Sequence, residues 1–227
     1  MKPTLIFDYD GTIHDTLHIY EPVLRDTYHR LAQAGYVKEE PLARERIAGW
    51  LGLNAREMWD DFQPQLADEI KEQSGRRNGE EMVARIRAHQ ARWYANAAST
   101  LDQLKQSGYS MIVLSNCKIG YRKANWEEFQ MERWFDQFYD CESYGFAPKT
   151  QIIKEILPKY EAPYVVIGDR DKDLACARVA GAAFIGCLYG YGSREELADA
   201  DVLIEDIGEL SGVLKKLNSV NDGTTES

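Results

Sequence analysis

The sequence has few cysteines and no apolar segment long enough to cross a membrane. Its four cysteines contain no CxxC pair and lie near apolar runs, which is typical of buried free thiols in a reducing compartment. The longest mainly apolar run, Val179 to Tyr189, is far too short for a bilayer span. After Lys2, Pro3 and Thr4, only three apolar residues precede Asp8, so the N-terminus lacks the apolar core of a signal peptide. We therefore predict a soluble, cytoplasmic protein.

Basic residues are fewer than acidic residues. The 27 lysines and arginines face 37 aspartates and glutamates, which gives a formal net charge of -10. Such a chain repels phosphate backbones and anionic lipids, so we expect neither nucleic acid nor membrane surfaces as partners. A small anionic substrate would need a local cation to hold it. The composition, 44% hydrophobic and 28% charged over 227 residues, is that of a globular protein with a substantial core.

Apolar strands alternate with helices in the second half of the chain. This alternation, together with a first strand at residues 4–7, predicts a parallel sheet covered by helices on both faces, a Rossmann-like α/β core. The predicted strands are 4–7, 110–114, 138–141, 164–167, 183–188 and 202–204, and the helices between and after them are 118–131, 149–159, 171–180, 193–198 and 207–217.

The stretch 15–98 contains no convincing strand and has the pattern of successive helices, the last two at 54–73 and 79–106. Because this block lies between the first strand and the others, we predict an inserted all-helical cap on the α/β core. The predicted domains are 1–14 and 99–217 for the core, 15–98 for the cap and 218–227 for a flexible tail.

Polar and charged side chains follow the predicted strands at the points where the apolar runs end. In an open parallel sheet, ligands bind beyond the carboxyl ends of the strands, so these residues are the candidates for a functional site. They are Asp8 and Asp10 after the first strand, Ser115 and Asn116 after the second, Lys149 near the end of the third region, and Asp169 and Asp173 after the fourth.

The carboxylates among these residues indicate a metal site. Asp8 and Asp10 are two residues apart, so an extended backbone points both to the same side, where they repel unless a cation lies between them. Asp169 and Asp173 add negative charge if their strand is a neighbour. This constellation favours a hard divalent cation, for which magnesium is the best match, and the chain has no histidine or cysteine cluster for zinc.

Each motif also has a plain structural interpretation. Asp-Gly is common in turns, serine and asparagine cap helices, and acidic residues stabilise a helix N-terminus. A lysine at the start of a helix is usually solvated. Coincidence does not readily explain four such motifs, in this order, at four strand ends.

Together the four motifs resemble those of the haloacid dehalogenase superfamily of phosphatases. They are DYDGT at 8–12, LSN at 114–116, Lys149 and GDRDKD at 168–173. Two further stretches, 188–193 and 200–204, resemble the phosphoglycolate-phosphatase and nucleotidase-like branch. The resemblance covers essentially the whole chain and implies a magnesium-dependent phosphomonoester hydrolase with a helical cap, acting on a small phosphorylated metabolite.

The resemblance also implies residue roles. Asp8 would be the nucleophile that forms an aspartyl-phosphate. Asp10 would protonate the leaving oxygen and then activate the attacking water. Ser115 and Lys149 would hold the transferring phosphoryl group, with Asn116 assisting beside Ser115.

The implied magnesium ligands are Asp8, Asp10 through its backbone carbonyl, and Asp169, with Asp173 supporting the site. Asp171 is an additional carboxylate in the same motif and competes with Asp173 for that supporting role. The lysine assignment has an alternative as well, because many relatives have lysine before proline, whereas here Pro148 precedes Lys149 and Lys154 lies about one turn further on.

Substrate and reaction outcome stay open at this stage. Arg46, Trp50 and Arg56 of the cap are candidate specificity residues, by carboxylate binding or ring stacking, although each also fits an ordinary surface or core position. A 5'-nucleotidase, a pyrophosphatase or a phosphomutase remains possible, as does a binding protein on an inactive core. A dehydrogenase is disfavoured, because no GxGxxG follows the first strand.

Overall fold

The computed structural model describes residues 2–38, 40–53 and 55–221, and a six-stranded sheet lies at the centre of this part of the chain. The strand order is β3-β2-β1-β4-β5-β6, and every neighbouring pair is parallel. The Rossmann-like α/β fold predicted from the sequence is confirmed. The strands are β1 (Thr4–Phe7), β2 (Met111–Ser115), β3 (Gln137–Asp140), β4 (Tyr164–Gly168), β5 (Ala183–Cys187) and β6 (Val202–Ile204).

Helices cover both faces of the sheet, as the continuous apolar strands require. Alternate residues of β1 enter different cores: Leu5 and Phe7 pack on one side and Ile6 on the other. The first core includes residues of α5 (Ala97–Gln106) and α9 (Leu210–Asn221), and the second includes residues of α7 (Lys149–Ile156) and α8 (Asp171–Ala180). Between β2 and β3 the chain forms the helix α6 (Ile119–Glu128).

In the described part of the stretch between β1 and α5, four helices form and contribute to a separate apolar cluster. The chain enters and leaves this region through two adjacent segments, because Asp15 donates its backbone N–H to Arg92 at 3.1 Å and Tyr94 donates to Ile13 at 2.9 Å. The domain boundaries at 15 and 98 stay a prediction. The helices are α1 (Leu17–Gln33), α2 (Arg44–Gly49), α3 (Ala55–Phe62) and α4 (Asp68–Arg87).

The structure differs from the predicted helices 54–73 and 79–106. The first is interrupted after α3, where Pro64 lacks a backbone donor and disfavours a helical residue before it. The expected break at Gly75 is absent, and α4 continues through it without interruption. That helix ends near His89, whose positive φ of 58° is incompatible with a further helical turn.

Two predictions nearer the C-terminus also need correction. Residues 193–198 form turns rather than a helix, and Glu196 donates its backbone N–H to the Ser193 hydroxyl at 3.1 Å. The predicted tail 218–227 begins too early, because α9 continues to Asn221. The remainder of the predicted tail, 222–227, lies outside the described residues.

Across the described part of the chain, none of the helices combines the length and the hydropathy needed to cross a membrane.

The burial of β2 gives a stability prediction. Ile112 is fully buried beneath the helices of the second core, so Ile112→Ala should lower the free energy of unfolding by about 2–5 kcal/mol through lost apolar contact and a cavity. Val179→Ala on α8 is the control, since Val179 is 40% exposed and a change within about 0.5 kcal/mol is expected there. Urea denaturation measures both, and equal stabilities would contradict the burial of β2.

Candidate active site

The carboxyl ends of three strands meet where the order of the sheet reverses. From β1 the chain builds β2 and β3 on one side, and β4, β5 and β6 on the other. Ligand sites of open α/β sheets lie at such a switch point. Asp8 follows β1, Ser115 ends β2 and Asp169 follows β4, so all three residues reach this edge.

A buried lysine connects two of the predicted site carboxylates. The Nζ of Lys149 donates to Asp8 Oδ1 at 2.6 Å and to Asp173 Oδ1 at 2.8 Å. Lys149 begins α7 directly after Pro148, and its side chain is only 7% exposed. Lys154, the alternative, is exposed on the same helix. The structure therefore places Lys149, and not Lys154, among the carboxylates.

Three buried carboxylates form a cluster around this lysine. Asp8, Asp169 and Asp173 each offer an oxygen, and these atoms lie within 4.8 Å of one another. Burial and the charge of Asp173 raise the pKa of Asp169 to about 7. They also raise the pKa of Asp8, against the opposing effect of Lys149. One ammonium does not balance three carboxylates, so this all-oxygen donor set fits a hard divalent cation. Asp171 is exposed and is not part of the cluster.

The turn after β1 holds Asp169 closely. Gly11 has a φ of +84°, and a Cβ at this position would overlap the Asp169 carboxylate. The backbone N–H of Tyr191 donates to Asp169 Oδ2 at 2.7 Å, and Thr12 Oγ1 lies 3.4 Å from Oδ1. Glycine at position 11 therefore satisfies both the left-handed backbone and the close approach.

Asp10 lies in the same turn after β1 but contacts a different set of side chains. Its Oδ1 accepts hydrogen bonds from Thr16 Oγ1 and Tyr121 OH, each at 2.6 Å, and His14 Nδ1 lies 3.4 Å away. Burial alone would raise the pKa of the Asp10 carboxyl. The hydrogen bond and the charge of His14, together with the hydrogen bonds from Thr16 and Tyr121, outweigh burial and hold this pKa below its usual value. Among the described residues, the carboxylate cluster that could hold a metal does not include Asp10. Only its backbone carbonyl is left as a ligand.

Ser115 lies beside Asp10, and Asn116 follows it in the chain. The hydroxyl of Ser115 is 3.4 Å from Asp10 Oδ2, and Ser115 itself is 1% exposed. Both residues line the cavity that opens over the carboxylates. The predicted core site residues are therefore together at one edge of the sheet.

The cavity over the site has a volume of about 660 Å³ and extends into the cap. Of the three predicted specificity residues, Trp50 lines this cavity, and its Nε1 donates to Asp61 Oδ2 at 2.7 Å. Arg46 and Arg56 do not line this cavity, so a specificity role for them stays a prediction. The Arg46 guanidinium lies 5.4 Å from the centre of the Trp50 ring and its side chain is 55% exposed, and Arg56 is 92% exposed beside Asp60. Both arginines belong to the outer surface of the cap.

Comparison with known families now identifies the kind of protein. The family model "Haloacid dehalogenase-like hydrolase" matches residues 5–187. This chain belongs to the haloacid dehalogenase-like hydrolases. The family predicted from the four motifs is confirmed, and so is the enzyme class, a hydrolase of the phosphatase type.

Relatives in this family cover nearly the whole chain. A phosphoglycolate phosphatase from Mannheimia succiniciproducens is 24% identical over 90% of this chain and 94% of its own. A 5'-nucleotidase from Pseudomonas aeruginosa is 27% identical over 86% of each chain. CbbY from Rhodobacter sphaeroides, solved in complex with phosphate, has the same fold with a TM-score of 0.74 at 21% identity, covering 92% of this chain and 96% of its own.

Sequence reasoning missed the residues around Asp10. His14 and Thr16 are close to Asp10 in the chain, and their position just before a helix suggested no role beyond the start of α1. Tyr121 lies on α6, more than a hundred positions away, so no local pattern links it to Asp10. Tyr9 stacks on the His14 ring with centroids 5.2 Å apart, which fixes the imidazole beside the carboxylate.

The carboxylate cluster predicts a metal-dependent change in stability. Magnesium should raise the Tm of the wild-type protein, because the ion offsets the repulsion among the buried carboxylates. Asp169→Asn should abolish this increase. Without metal, this variant should be at least as stable as the wild type, because one of three crowded negative charges is gone.

Asp171→Asn is the matched control, since it removes an exposed carboxylate from the same motif. It should keep the magnesium-dependent increase in Tm. Differential scanning calorimetry with magnesium and with a chelator measures each variant. An unchanged metal response in Asp169→Asn would mean that the ion binds elsewhere.

Proposed function

We propose that this hydrolase is a magnesium-dependent phosphomonoesterase that acts on a small phosphorylated metabolite through an aspartyl-phosphate on Asp8. The observation that carries the proposal is the contact of the buried Lys149 ammonium with both Asp8 and Asp173. A phosphate dianion can approach a carboxylate nucleophile only where positive charge offsets their repulsion. Lys149 supplies part of this charge.

In the first step, an Asp8 oxygen bonds to phosphorus as the bond from phosphorus to the leaving oxygen breaks. Asp10 gives its proton to that oxygen. In the second step, water attacks the phosphorus of the aspartyl-phosphate and gives a proton to Asp10, while the bond from Asp8 to phosphorus breaks. Phosphate leaves, and both aspartates return to their initial states.

The surroundings of Asp10 support its change from proton donor in the first step to proton acceptor in the second. Its Oδ1 is held by Thr16 and Tyr121, so the proton would be carried on Oδ2, on the Ser115 side. The lowered pKa of the Asp10 carboxyl suits the form that accepts a proton from water. A bound phosphoryl group places negative charge nearby, which raises this pKa and favours the protonated form needed in the first step.

The remaining site residues would hold the phosphoryl group and the metal. Ser115 and Lys149 would bind the phosphoryl oxygens, with Asn116 at the entrance. Asp8, Asp169 and Asp173, together with the Asp10 carbonyl, would hold magnesium. The ion would supply the positive charge that a phosphoryl dianion needs among these carboxylates.

The relatives support a small phosphorylated metabolite as substrate. Several are named phosphoglycolate phosphatase, and phosphoglycolate is therefore a first candidate for this chain. The relative named 5'-nucleotidase supports a nucleoside monophosphate as the second candidate, and the cavity of about 660 Å³ has room for it. We also propose a cytoplasmic location, supported by four cysteines that are all free and buried.

A substrate panel tests the proposed reaction. Phosphate release is measured from phosphoglycolate, nucleoside monophosphates, sugar phosphates and pyrophosphate, each with magnesium and with a chelator. We expect release from one class of ester, lost on chelation. Transfer of the phosphoryl group within a sugar phosphate would indicate a mutase, and binding without turnover of any compound would indicate a binding protein on an inactive core.

Variants of the two aspartates test the mechanism. Asp8→Asn should lower kcat by about 10⁴-fold or more, since it removes the nucleophile, and should leave the fold intact. Asp10→Asn should lower kcat by about 10²–10⁴-fold, the range for loss of a general acid and base. Asp171→Asn, an exposed carboxylate outside the site, should keep its activity. Circular dichroism checks the fold of each variant, and ordinary turnover in Asp8→Asn would rule out the aspartyl-phosphate.

A further inference from the structure

The part of the cavity that lies in the cap is mainly apolar and carries aromatic rings. It is continuous with the space over Asp8 and Asp10. A volume of about 660 Å³ is in the range that encloses a drug-sized ligand, so a two-carbon acid would leave most of it without contacts. Six of its cap residues are Tyr20, Trp50, Leu53, Met58, Trp59 and Met82.

Two buried donors in this lining have no protein acceptor within the part of the chain that the structure describes. They are Trp59 Nε1 and Asn78 Nδ2. Trp59 is 2% exposed and Asn78 is 5% exposed, and both line the cavity. Buried N–H groups in proteins are almost always hydrogen-bonded, so these two require an acceptor from whatever occupies the cavity.

Neighbouring side chains orient the Asn78 amide. Arg30 donates to Thr27 Oγ1 at 2.6 Å, and the Thr27 hydroxyl donates in turn to Asn78 Oδ1. Because the carbonyl oxygen of the amide is used by Thr27, its NH₂ group is left for the cavity. This chain of hydrogen bonds begins with a charged guanidinium, which strengthens the orientation.

Two glycines on α4, Gly75 and Gly79, line the same cavity. Both lie within the helix and have ordinary helical φ values, so the backbone does not require glycine there, although alanine would favour the helix. A Cβ on Gly75 would lie 3.2 Å from Trp59 Nε1, and one on Gly79 would meet nothing within 4 Å. A side chain at either position would occupy cavity space that glycine leaves free.

We propose that the substrate is a phosphomonoester whose leaving group is a flat, mainly apolar ring carrying a hydrogen-bond acceptor, which Trp59 and Asn78 bind. This inference rests on the proposed phosphomonoesterase function and narrows its substrate class, because it ranks ring esters ahead of phosphoglycolate, the first candidate from the relatives. The ring lies among the aromatic and aliphatic cap residues. Its acceptor satisfies the two buried donors, and its phosphate reaches Asp8.

Matched esters test the ring and its acceptor separately. Phosphoglycolate is compared with benzyl phosphate, which has a ring but no acceptor, and with 3- and 4-acetylbenzyl phosphate, which add a carbonyl at two positions. We expect kcat/KM to increase from phosphoglycolate to benzyl phosphate, and by about a further tenfold for at least one acetylbenzyl ester, because an unmet buried donor is costly.

Variants assign the effect to the named residues. Trp59→Phe keeps a ring and removes the donor, so the advantage of the acetylbenzyl ester over benzyl phosphate should fall about tenfold. Gly79→Leu fills the cavity, so the ratio of kcat/KM for ring esters to that for phosphoglycolate should fall at least tenfold. Gly212→Leu, at an exposed helical glycine of α9 with open space around it, is the control and should change neither ratio.

The outcomes distinguish this inference from the proposed function. A preference for phosphoglycolate, or ratios that Trp59→Phe and Gly79→Leu leave unchanged, would overturn the inference while the phosphatase function stands. If Trp59→Phe does not fold, Gly79→Leu decides the question alone. Absence of hydrolysis of every ester by folded wild-type protein with magnesium would overturn the proposed function and this inference with it.

Discussion

The candidate active site depends on a cluster of buried charges at the end of β1 in which negative charge exceeds positive charge. Three carboxylates, those of Asp8, Asp169 and Asp173, lie within 4.8 Å of one another, and the Lys149 ammonium is the cation that contacts two of them. Burial makes each uncompensated carboxylate costly. The cluster therefore favours the binding of positive charge, which agrees with the proposed magnesium site.

The parallel sheet makes this concentration of charge possible. Because β1 lies between β2 and β4, residues far apart in the sequence arrive at one edge on strands that the two cores hold rigidly. Gly11 lets the turn after β1 approach Asp169 more closely than a side chain would allow. The well-packed strands thus offset the free energy cost of burying the carboxylates. Such a balance between a stable scaffold and a destabilising site is common in enzymes.

The sequence was sufficient for features that depend on local pattern. Apolar runs ending in Asp8, Ser115 and Asp169 predicted both the strands and the site, since strand ends of a parallel sheet converge. Features that depend on tertiary packing were beyond it. Tyr121 reaches Asp10 from a helix that is distant in the sequence. Arg46 is exposed and does not line the cavity, because a helical pattern alone does not say which face covers the site.

The distinction between local pattern and tertiary packing also applies to the proposed function, because the reacting groups and the substrate-selecting groups come from different parts of the fold. Under the proposed function, short motifs at strand ends supply the reacting groups. In the proposed ring-binding site, selectivity would depend on contacts between helices, because Thr27 on α1 occupies the carbonyl oxygen of Asn78 and leaves its amide donor for the cavity. If the proposed role of Asn78 holds, a change on α1 would alter which leaving group is accepted without touching the carboxylates.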